Sequence, residues 1–198
     1  MTDKASVMNK IAEELENLTE SPLYDYRMEN DYHPVVGEGN PDADILFVGE
    51  APGEKEAESG RPFVGASGRV LNELLETIDL DRKHVYITNV VKDRPPDNRD
   101  PYVDEIELYA PFLRRQIELI QPRVIATLGR FAMEFMLDYF DVPHHGQKIS
   151  ELHGQPIGVQ TDYGEVTLVP LYHPAVALYS RNRRGTLEED FQVLQRYL

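Results

Sequence analysis

The chain has 198 residues, which predicts a single domain over residues 1-198, and it carries a formal net charge of −15. It has no cysteine, which excludes disulfides, thiolate zinc sites and iron–sulfur ligation. The acidic balance argues against a general nucleic-acid binder, but it leaves open a local basic site on an acidic body.

Apolar residues at helical spacing predict a first helix over residues 1–18. The following segment, up to residue 43, is punctuated by Pro and Gly and predicts irregular chain packed on the domain. No apolar run approaches the roughly 18 residues needed to cross a bilayer, and the N-terminus lacks the apolar core of a signal peptide. We therefore expect no membrane association and a cytoplasmic location, and the acidic surface fits life at raised salt.

Four short apolar runs predict strands, and helical patterns separate them. The first three runs lack clean alternation, as in strands covered on both faces, whereas Pro170 predicts an edge position or an early end for the fourth. Ser67 is the predicted cap of the first intervening helix. Alternating strands and helices predict parallel pairing. The expected fold class is α/β, a three-layer α/β/α sandwich around a central four-stranded, mainly parallel sheet. The predicted strands are DILFVGE (44–50), VYITNVV (85–91), RVIATLG (123–129) and VTLVPLYH (166–173).

Functional sites in such folds lie at the carboxyl ends of the strands. That rule brings together the loops that begin at residues 49, 88, 129 and 171. The first loop, GEAPGEKEAESGRPFVG, is rich in Gly and Pro. It is neither a phosphate-binding Walker loop nor a dinucleotide fingerprint, because GxxxxGK[ST] and GxGxxG are both absent.

Three side chains in these loops have a structural and a functional interpretation. Phe63 either belongs to the core or offers an aromatic face to a planar base. Asn89 either ties down a neighbouring loop or pairs with the imide edge of a pyrimidine. His173 is either structural or stabilises a leaving group that gains negative charge.

Two basic groups are predicted at the rim of the same cleft. The stretch VVKDRPPDNRDP (90–101) is rigid and locally basic, and RNRR (181–184) follows His173. Either group alone could be a solvated charge run, but two groups at one edge of an acidic protein favour a phosphate track. The pair His144 and His145 is interpreted as solvated and not as a metal site.

The stretches GEAPG, GRPFVG, YITNVVK-RPP-NR, FLRRQIELIQPRVIATLG and YHPA resemble the uracil-DNA glycosylase superfamily, specifically the family 4 type. The resemblance runs from about residue 18 to the C-terminus. It implies a monofunctional, monomeric hydrolase of base excision repair that flips uracil out of DNA and hydrolyses its N-glycosidic bond, leaving an abasic site. No lysine occupies an obvious Schiff-base position, so no lyase activity is expected.

The resemblance also implies roles for individual residues. Phe63 would stack on the flipped uracil, Asn89 would read its imide edge, and His173 would stabilise the uracil anion at O2. Glu50 would position water or stabilise the sugar cation, and Glu56 would crowd the pyrimidine C5 and disfavour thymine. The loop after His173 would push into the duplex. Ala51 and Gly53 complete the predicted substrate-binding set, and the predicted DNA-binding set is Ser67, Lys92, Arg94, Arg99, Arg181 and Arg183.

One departure from the family pattern concerns a cofactor. Family 4 enzymes hold a [4Fe–4S] cluster through four cysteines, and the aligned positions here are Leu18, Ser21, Asp93 and Tyr109. We therefore expect no cluster, no metal and no other cofactor. Local packing, or salt bridges of Asp93 or Asp97 with nearby arginines, would hold together the segments that the cluster joins in the family. The alternatives are a glycosylase for hypoxanthine or xanthine, and a catalytically silent relative that binds DNA or protein.

Overall fold

A computed structural model of the chain describes residues 3–143 and 146–198, so the predicted solvated pair His144 and His145 lies outside the described residues. Its α-helices are α1 (Lys4–Glu16), α2 (Tyr24–Glu29), α3 (Glu54–Ser59), α4 (Ala66–Glu76), α5 (Val103–Ile120), α6 (Arg130–Tyr139), α7 (Ile149–Leu152) and α8 (Arg181–Gln192). Its strands are β1 (Glu38–Gly39), β2 (Ile45–Gly49), β3 (Tyr86–Asn89), β4 (Val124–Leu128), β5 (Ile157–Thr161) and β6 (Gly164–Leu171). Short 3-10 helices cover Arg82–His84, Pro96–Asn98, Pro174–Leu178 and Val193–Tyr197.

The sheet has six strands in the order β1-β3-β2-β4-β6-β5. The four central strands, β3, β2, β4 and β6, pair in parallel, as predicted. The prediction of four strands is wrong at both edges, where β1 and β5 add antiparallel pairs. The structure therefore keeps the predicted α/β class and widens its sheet by two edge strands.

Pro170 does not end β6, nor does it place the strand at the edge. The strand continues to Leu171 and pairs with β4 from Thr167 to Leu171. On its other side β5 pairs only as far as Leu168, and the Pro170 carbonyl accepts from Gly154 N–H instead. The missing N–H of Pro170 therefore falls where no strand partner needs it.

Helices cover both faces of the sheet and give the predicted three layers. Side chains alternate along a strand, so Leu46 and Val48 face one way and Ile45 and Phe47 the other. The first face packs with α1, α5 and α6 in one apolar cluster. The second packs with α4 and α8, where Phe47 stacks on Phe191 at 5.9 Å between ring centroids. None of the helices within the described residues is long and apolar enough to span a membrane.

The N-terminal segment is more regular than the sequence predicted. The first helix ends at Glu16, and Asp3 caps it by accepting from Ala5 N–H. The stretch predicted as irregular contains α2 and β1.

The sheet order places a cleft at the carboxyl end of β2. The chain leaves β2 for β3 on one side and then crosses back to β4 on the other side. Ligands bind at such reversals in open α/β sheets. The loops after β2, β3, β4 and β6 therefore surround one position.

Candidate active site

A cavity of about 330 Å³ lies at this edge of the sheet. Its volume falls at the small end of the range of roughly 300–1,000 Å³ that is typical of small-molecule sites. Each residue predicted to be catalytic or substrate-binding lines it, together with Ser67 and Arg99 of the predicted DNA-binding set. The sequence reasoning missed Pro52, Pro95, Asn98 and Ala175, although each is a direct neighbour of a motif residue. The full lining is Glu50, Ala51, Pro52, Gly53, Glu56, Phe63, Ser67, Asn89, Pro95, Asn98, Arg99, His173 and Ala175.

Phe63 forms one wall of the cavity from a strained backbone. Its φ is +49°, in the left-handed region that non-glycine residues rarely adopt. Two glycines make the close approach possible. A Cβ on Gly49 would lie 2.8 Å from the Phe63 ring, and a Cβ on Gly68 would lie 1.9 Å from the Phe63 carbonyl oxygen. The ring therefore sits in a position that only Gly at these two sites allows.

Asn89 ends β3 and is almost fully buried. Its Oδ1 has no hydrogen-bond partner among the described residues. A buried acceptor without a donor is costly, so a ligand with an N–H is the natural partner. The structural interpretation, in which Asn89 ties down a loop through this oxygen, has no such contact to support it.

His173 follows β6 and faces Phe63, with 5.7 Å between the ring centroids. Its Nδ1 accepts a hydrogen bond from Ala175 N–H at 3.1 Å. Burial lowers the pKa of His173 to about 4, and the Glu56 carboxylate opposes this shift only in part. The ring is therefore neutral at physiological pH, and because Nδ1 is an acceptor its single proton lies on Nε2, where it can be donated.

Glu50 lies directly after β2 and lines the same cavity. Burial raises the pKa of its carboxyl, the negative charge of Asp100 adds to this, and Arg130 opposes it. A carboxylate that holds its proton more tightly is a better base for a water molecule near neutral pH.

Glu56 has a structural role that the sequence did not reveal. Its Oε1 accepts from the N–H groups of Val64 and Gly65, each at 2.8 Å. The side chain thus anchors the loop that carries Phe63 while it also lines the cavity.

The prediction that Lys92 lies on a DNA-facing rim is wrong. Lys92 is fully buried, and its ammonium donates to Thr88 Oγ1 and Gln116 Oε1 at 2.6 Å and to the Asn89 carbonyl at 2.8 Å. Burial lowers its pKa well below the usual value. The chain turns inward after β3, so Lys92 braces the end of that strand instead of meeting phosphate.

The remaining basic residues differ in how open they are. Arg94 has only 10% of its side chain exposed and donates to Tyr32 OH and Asn98 Oδ1, so it has little surface left for a phosphate. Arg99 pairs with Glu105 at 2.5 Å and lies over the Tyr102 ring. Arg181 and Arg183 are exposed at the start of α8.

Ser67 does not cap α4. Gly65 is the N-cap, and Ser67 lies in the first turn, where it borders the cavity. A Cβ on Gly65 would lie 3.3 Å from Glu56 Oε1, which is a tight contact with the carboxylate that holds this turn.

Three of the four positions where the resemblance predicted a loss of cluster ligands, Ser21, Asp93 and Tyr109, belong to one buried polar network. Ser21 Oγ and Tyr109 OH are 2.7 Å apart, and Tyr109 OH donates to Asp93. Arg27 pairs with Asp93 at 3.1 Å and donates to the carbonyls of Leu15 and Glu16. The predicted salt bridge between Asp93 and a nearby arginine is confirmed, and the arginine is Arg27. Leu18 packs in the adjoining apolar core.

These residues do not fit an iron–sulfur cluster, which requires thiolates or imidazoles. A phenol, a hydroxyl and a leucine offer no such donors, and the one carboxylate is already neutralised by Arg27. No group of three His, Cys, Asp or Glu side chains suited to a metal ion occurs within residues 3–143 and 146–198.

Comparison with known proteins gives the class to which this site belongs. The family model of the uracil DNA glycosylase superfamily matches residues 36–197, so the chain belongs to that superfamily. A Type-4 uracil-DNA glycosylase of Sulfurisphaera tokodaii is 43% identical over 189 residues, 95% of this chain and 83% of that protein. The Type-4 enzyme of Archaeoglobus fulgidus is 47% identical over 158 residues, 80% of this chain and 78% of the relative. That of Thermotoga maritima is 41% identical over 195 residues, 96% and 94% of the two chains.

Proposed function

We propose that this protein is a Type-4-like uracil-DNA glycosylase that hydrolyses the N-glycosidic bond of deoxyuridine in DNA. The observation that carries the proposal is the convergence of Phe63, Asn89 and His173 on one cavity of about 330 Å³. They supply an aromatic face, an unpartnered buried acceptor and a neutral N–H donor. Uracil presents the matching features: a flat ring, an N3–H donor and an O2 acceptor.

The proposed recognition begins with extrusion of the base from the stack, because the cavity cannot reach a base inside a duplex. The uracil ring then lies on Phe63, and its N3–H is donated to Asn89 Oδ1. This contact pairs the orphaned oxygen and would be absent for cytosine, whose N3 is an acceptor. Glu56 is proposed to border C5 and to disfavour the thymine methyl group.

The proposed chemistry breaks the bond between the sugar C1′ and uracil N1. The electron pair leaves with the base, and the resulting charge on O2 is stabilised by the Nε2–H of His173. A neutral donor suits this task because the leaving anion can keep its charge while accepting the hydrogen bond. Water adds to the sugar cation, and Glu50 accepts the proton that the water loses.

The proposed enzyme works without the iron–sulfur cluster of its family type. The Arg27–Asp93–Tyr109–Ser21 network supports this proposal because it fills the aligned positions with groups already paired with each other. Action as a monomer, through one domain over residues 1-198 and in the cytoplasm, stays a prediction.

The proposed DNA path runs over Ser67 and Arg99 at the cavity and over Arg181 and Arg183 on α8. Leu178 and Tyr179 are exposed between His173 and α8, and we propose that they enter the gap that the base leaves. Arg94 contributes by stiffening the loop before Arg99, through its contacts with Tyr32 and Asn98.

The test is cleavage of a labelled single-stranded oligonucleotide with one uracil, after alkali treatment. We expect strand breaks with the wild-type protein and a loss of about 10²–10³ in single-turnover rate for His173→Ala, the usual effect of removing one oxyanion donor. Gly185→Ala, in the exposed first half of α8, is the control purified in the same way.

Three results would contradict parts of the proposal. Equal rates for wild type and His173→Ala would remove His173 from the mechanism. Release of hypoxanthine or xanthine without release of uracil would change the substrate. No base release from any oligonucleotide would leave a silent DNA- or protein-binding relative.

A further inference from the structure

The loop that carries Phe63 is held by contacts from outside itself. A residue other than glycine in the left-handed region is strained, and it persists there only where the surrounding contacts hold it in place. Phe63 at φ +49° is such a residue. Some group must therefore hold the backbone on both sides of it.

Two side chains of opposite charge supply these contacts. Arg82 donates Nη1–H to the Phe63 carbonyl at 3.0 Å and Nη2–H to the Pro62 carbonyl. Glu56 accepts from the next two N–H groups along the chain, those of Val64 and Gly65. The Arg82 guanidinium thus binds the carbonyls of Pro62 and Phe63. The Glu56 carboxylate binds the N–H groups of the two residues that follow.

The location of Arg82 suits it to hold the Phe63 loop in place. It lies in the 3-10 helix between α4 and β3, so it is attached to the sheet and not to the loop that it holds. Asn72 Oδ1 accepts from its Nη1 at 3.1 Å, and only 19% of its side chain is exposed. It lies outside the cavity lining, so it cannot touch a base bound there.

We propose that Arg82 is a positioning residue for base excision, which acts by fixing the Phe63 ring at the angle that a flipped base needs. This proposal rests on the proposed uracil-DNA glycosylase function. A guanidinium suits the role because its planar fork presents two N–H groups to two carbonyls at once. A lysine at this position could bind one of the carbonyls but not fix both.

The test is a double-mutant cycle between Arg82 and Phe63, measured as single-turnover uracil release. We expect Arg82→Ala to slow excision by about tenfold to a hundredfold, since a displacement of about 1 Å can cost as much as 10²-fold. The single-turnover rate of Arg82→Lys should lie between the rates of Arg82→Ala and the wild type. In a Phe63→Ala background, Arg82→Ala should have almost no further effect, because the ring that it positions is already gone.

Arg61→Ala is the matched control. Arg61 is an exposed arginine in the same loop that pairs with Glu38, which also lies 3.8 Å from Arg82. We expect its loss to leave the excision rate unchanged. Effects of Arg82→Ala and Phe63→Ala that multiply would contradict the proposal, because a general loss of stability acts independently of Phe63.

A second readout does not depend on activity. In a crystal structure of Arg82→Lys or Arg82→Ala, Phe63 should leave the left-handed region and its ring should move away from His173. A Phe63 that keeps φ near +49° and its place beside His173 would overturn the proposal. If the wild-type protein released no uracil, the proposed function would fail while this structural result still decided the role of Arg82.

Discussion

The imidazole of His173 combines three properties that together define its chemistry. It is buried, its Nδ1 accepts from Ala175 N–H, and its pKa is lowered to about 4. The ring therefore stays neutral as the pH falls through 6.5, where an ordinary histidine takes up a proton. A neutral donor is available over the whole range in which Glu50 is deprotonated.

This argument predicts the pH dependence of excision. Between pH 8 and pH 5 the single-turnover rate should have no inflection near 6.5 from His173. The acid limb should instead follow Glu50, whose raised pKa means that the base is lost as the pH falls through that value. The profile of Glu50→Gln, measured on its residual activity, should lack this limb. An inflection near 6.5 that disappears in His173→Asn would contradict the assignment.

The set of residues that line the cavity was the most predictable part of the site, because it follows from their positions along the strands and loops. Phe63 lies in the loop after the first predicted strand, Asn89 lies near the end of the second, and His173 ends the fourth. The carboxyl ends of parallel strands meet at one edge of a sheet. Lys92 was assigned wrongly for a related reason. The sequence shows that a lysine follows β3, but not that the side chain turns under the sheet edge toward Thr88 and Gln116.

At the scale of elements, the packing between α4 and the Phe63 loop is the tightest contact near the site. The first turn of the helix passes directly below Phe63, and Gly68 makes this possible. Gly185 in α8 has no atom within 4 Å of the position of an added Cβ. Both residues are helical glycines, but an added methyl group would clash at Gly68 and would meet open space at Gly185. Alanine substitutions at the two positions can therefore be compared directly.

We expect Gly68→Ala to destabilise the protein by about 1–3 kcal/mol, as overpacking does, and to slow uracil release by moving Phe63. Gly185→Ala should instead leave stability unchanged or raise it by up to about 1 kcal/mol through helix propensity. Urea unfolding of the two variants and the wild type measures this difference. Equal stability of the two variants would show that α4 does not constrain the loop.

The elements that the sequence missed share a physical cause. β1 has two residues, and β5 alternates exposed and buried positions at the edge of the sheet, so neither gives a long apolar run. Pro170 led to the wrong prediction that its strand lies at the edge of the sheet or ends early. A proline is tolerated inside a strand where its nitrogen faces no strand partner. Local composition does not reveal which side of a strand lacks a neighbour.

At the scale of the whole molecule, a buried ion pair joins the N-terminal segment to the loop after β3. Arg27 of α2 and Asp93 are almost fully buried, and Tyr109 of α5 completes the contact. These contacts link three segments that are distant in sequence. Burial raises the pKa of Asp93, and the hydrogen bond from Tyr109 and the charge of Arg27 oppose this shift.

Removal of one partner should therefore be costly. Asp93→Ala leaves the Arg27 guanidinium buried without a counter-charge, and we expect a loss of about 3–5 kcal/mol in the free energy of unfolding. The double variant Arg27→Met, Asp93→Leu should regain much of the lost free energy of unfolding. Replacing a buried ion pair by an apolar pair of similar volume often leaves stability unchanged. Urea denaturation measures both. A single variant as stable as the wild type would mean that the pair does not hold the N-terminal segment.

Charge at the scale of the molecule predicts how DNA binding responds to salt. The net charge of −15 repels DNA over most of the surface, and on the proposed DNA path the exposed arginines of α8 would supply local attraction. Replacement of both Arg181 and Arg183 by Ala should reduce the slope of log affinity against log salt by about 1.4 for single-stranded DNA.

Arg184→Ala is the control for this measurement, because Arg184 already pairs with Glu73 and Glu188. Its loss should change the slope little. An unchanged slope in the Arg181, Arg183 double variant would place the DNA path elsewhere.

The central claim is that Phe63, Asn89 and His173 form one binding site for an extruded uracil, and a crystal structure of the protein with free uracil tests it most directly. The account predicts the ring stacked on Phe63, with N3–H within hydrogen-bond distance of Asn89 Oδ1 and O2 within that distance of His173 Nε2. Uracil bound away from these three side chains, or an empty cavity at a saturating concentration of uracil, would contradict it.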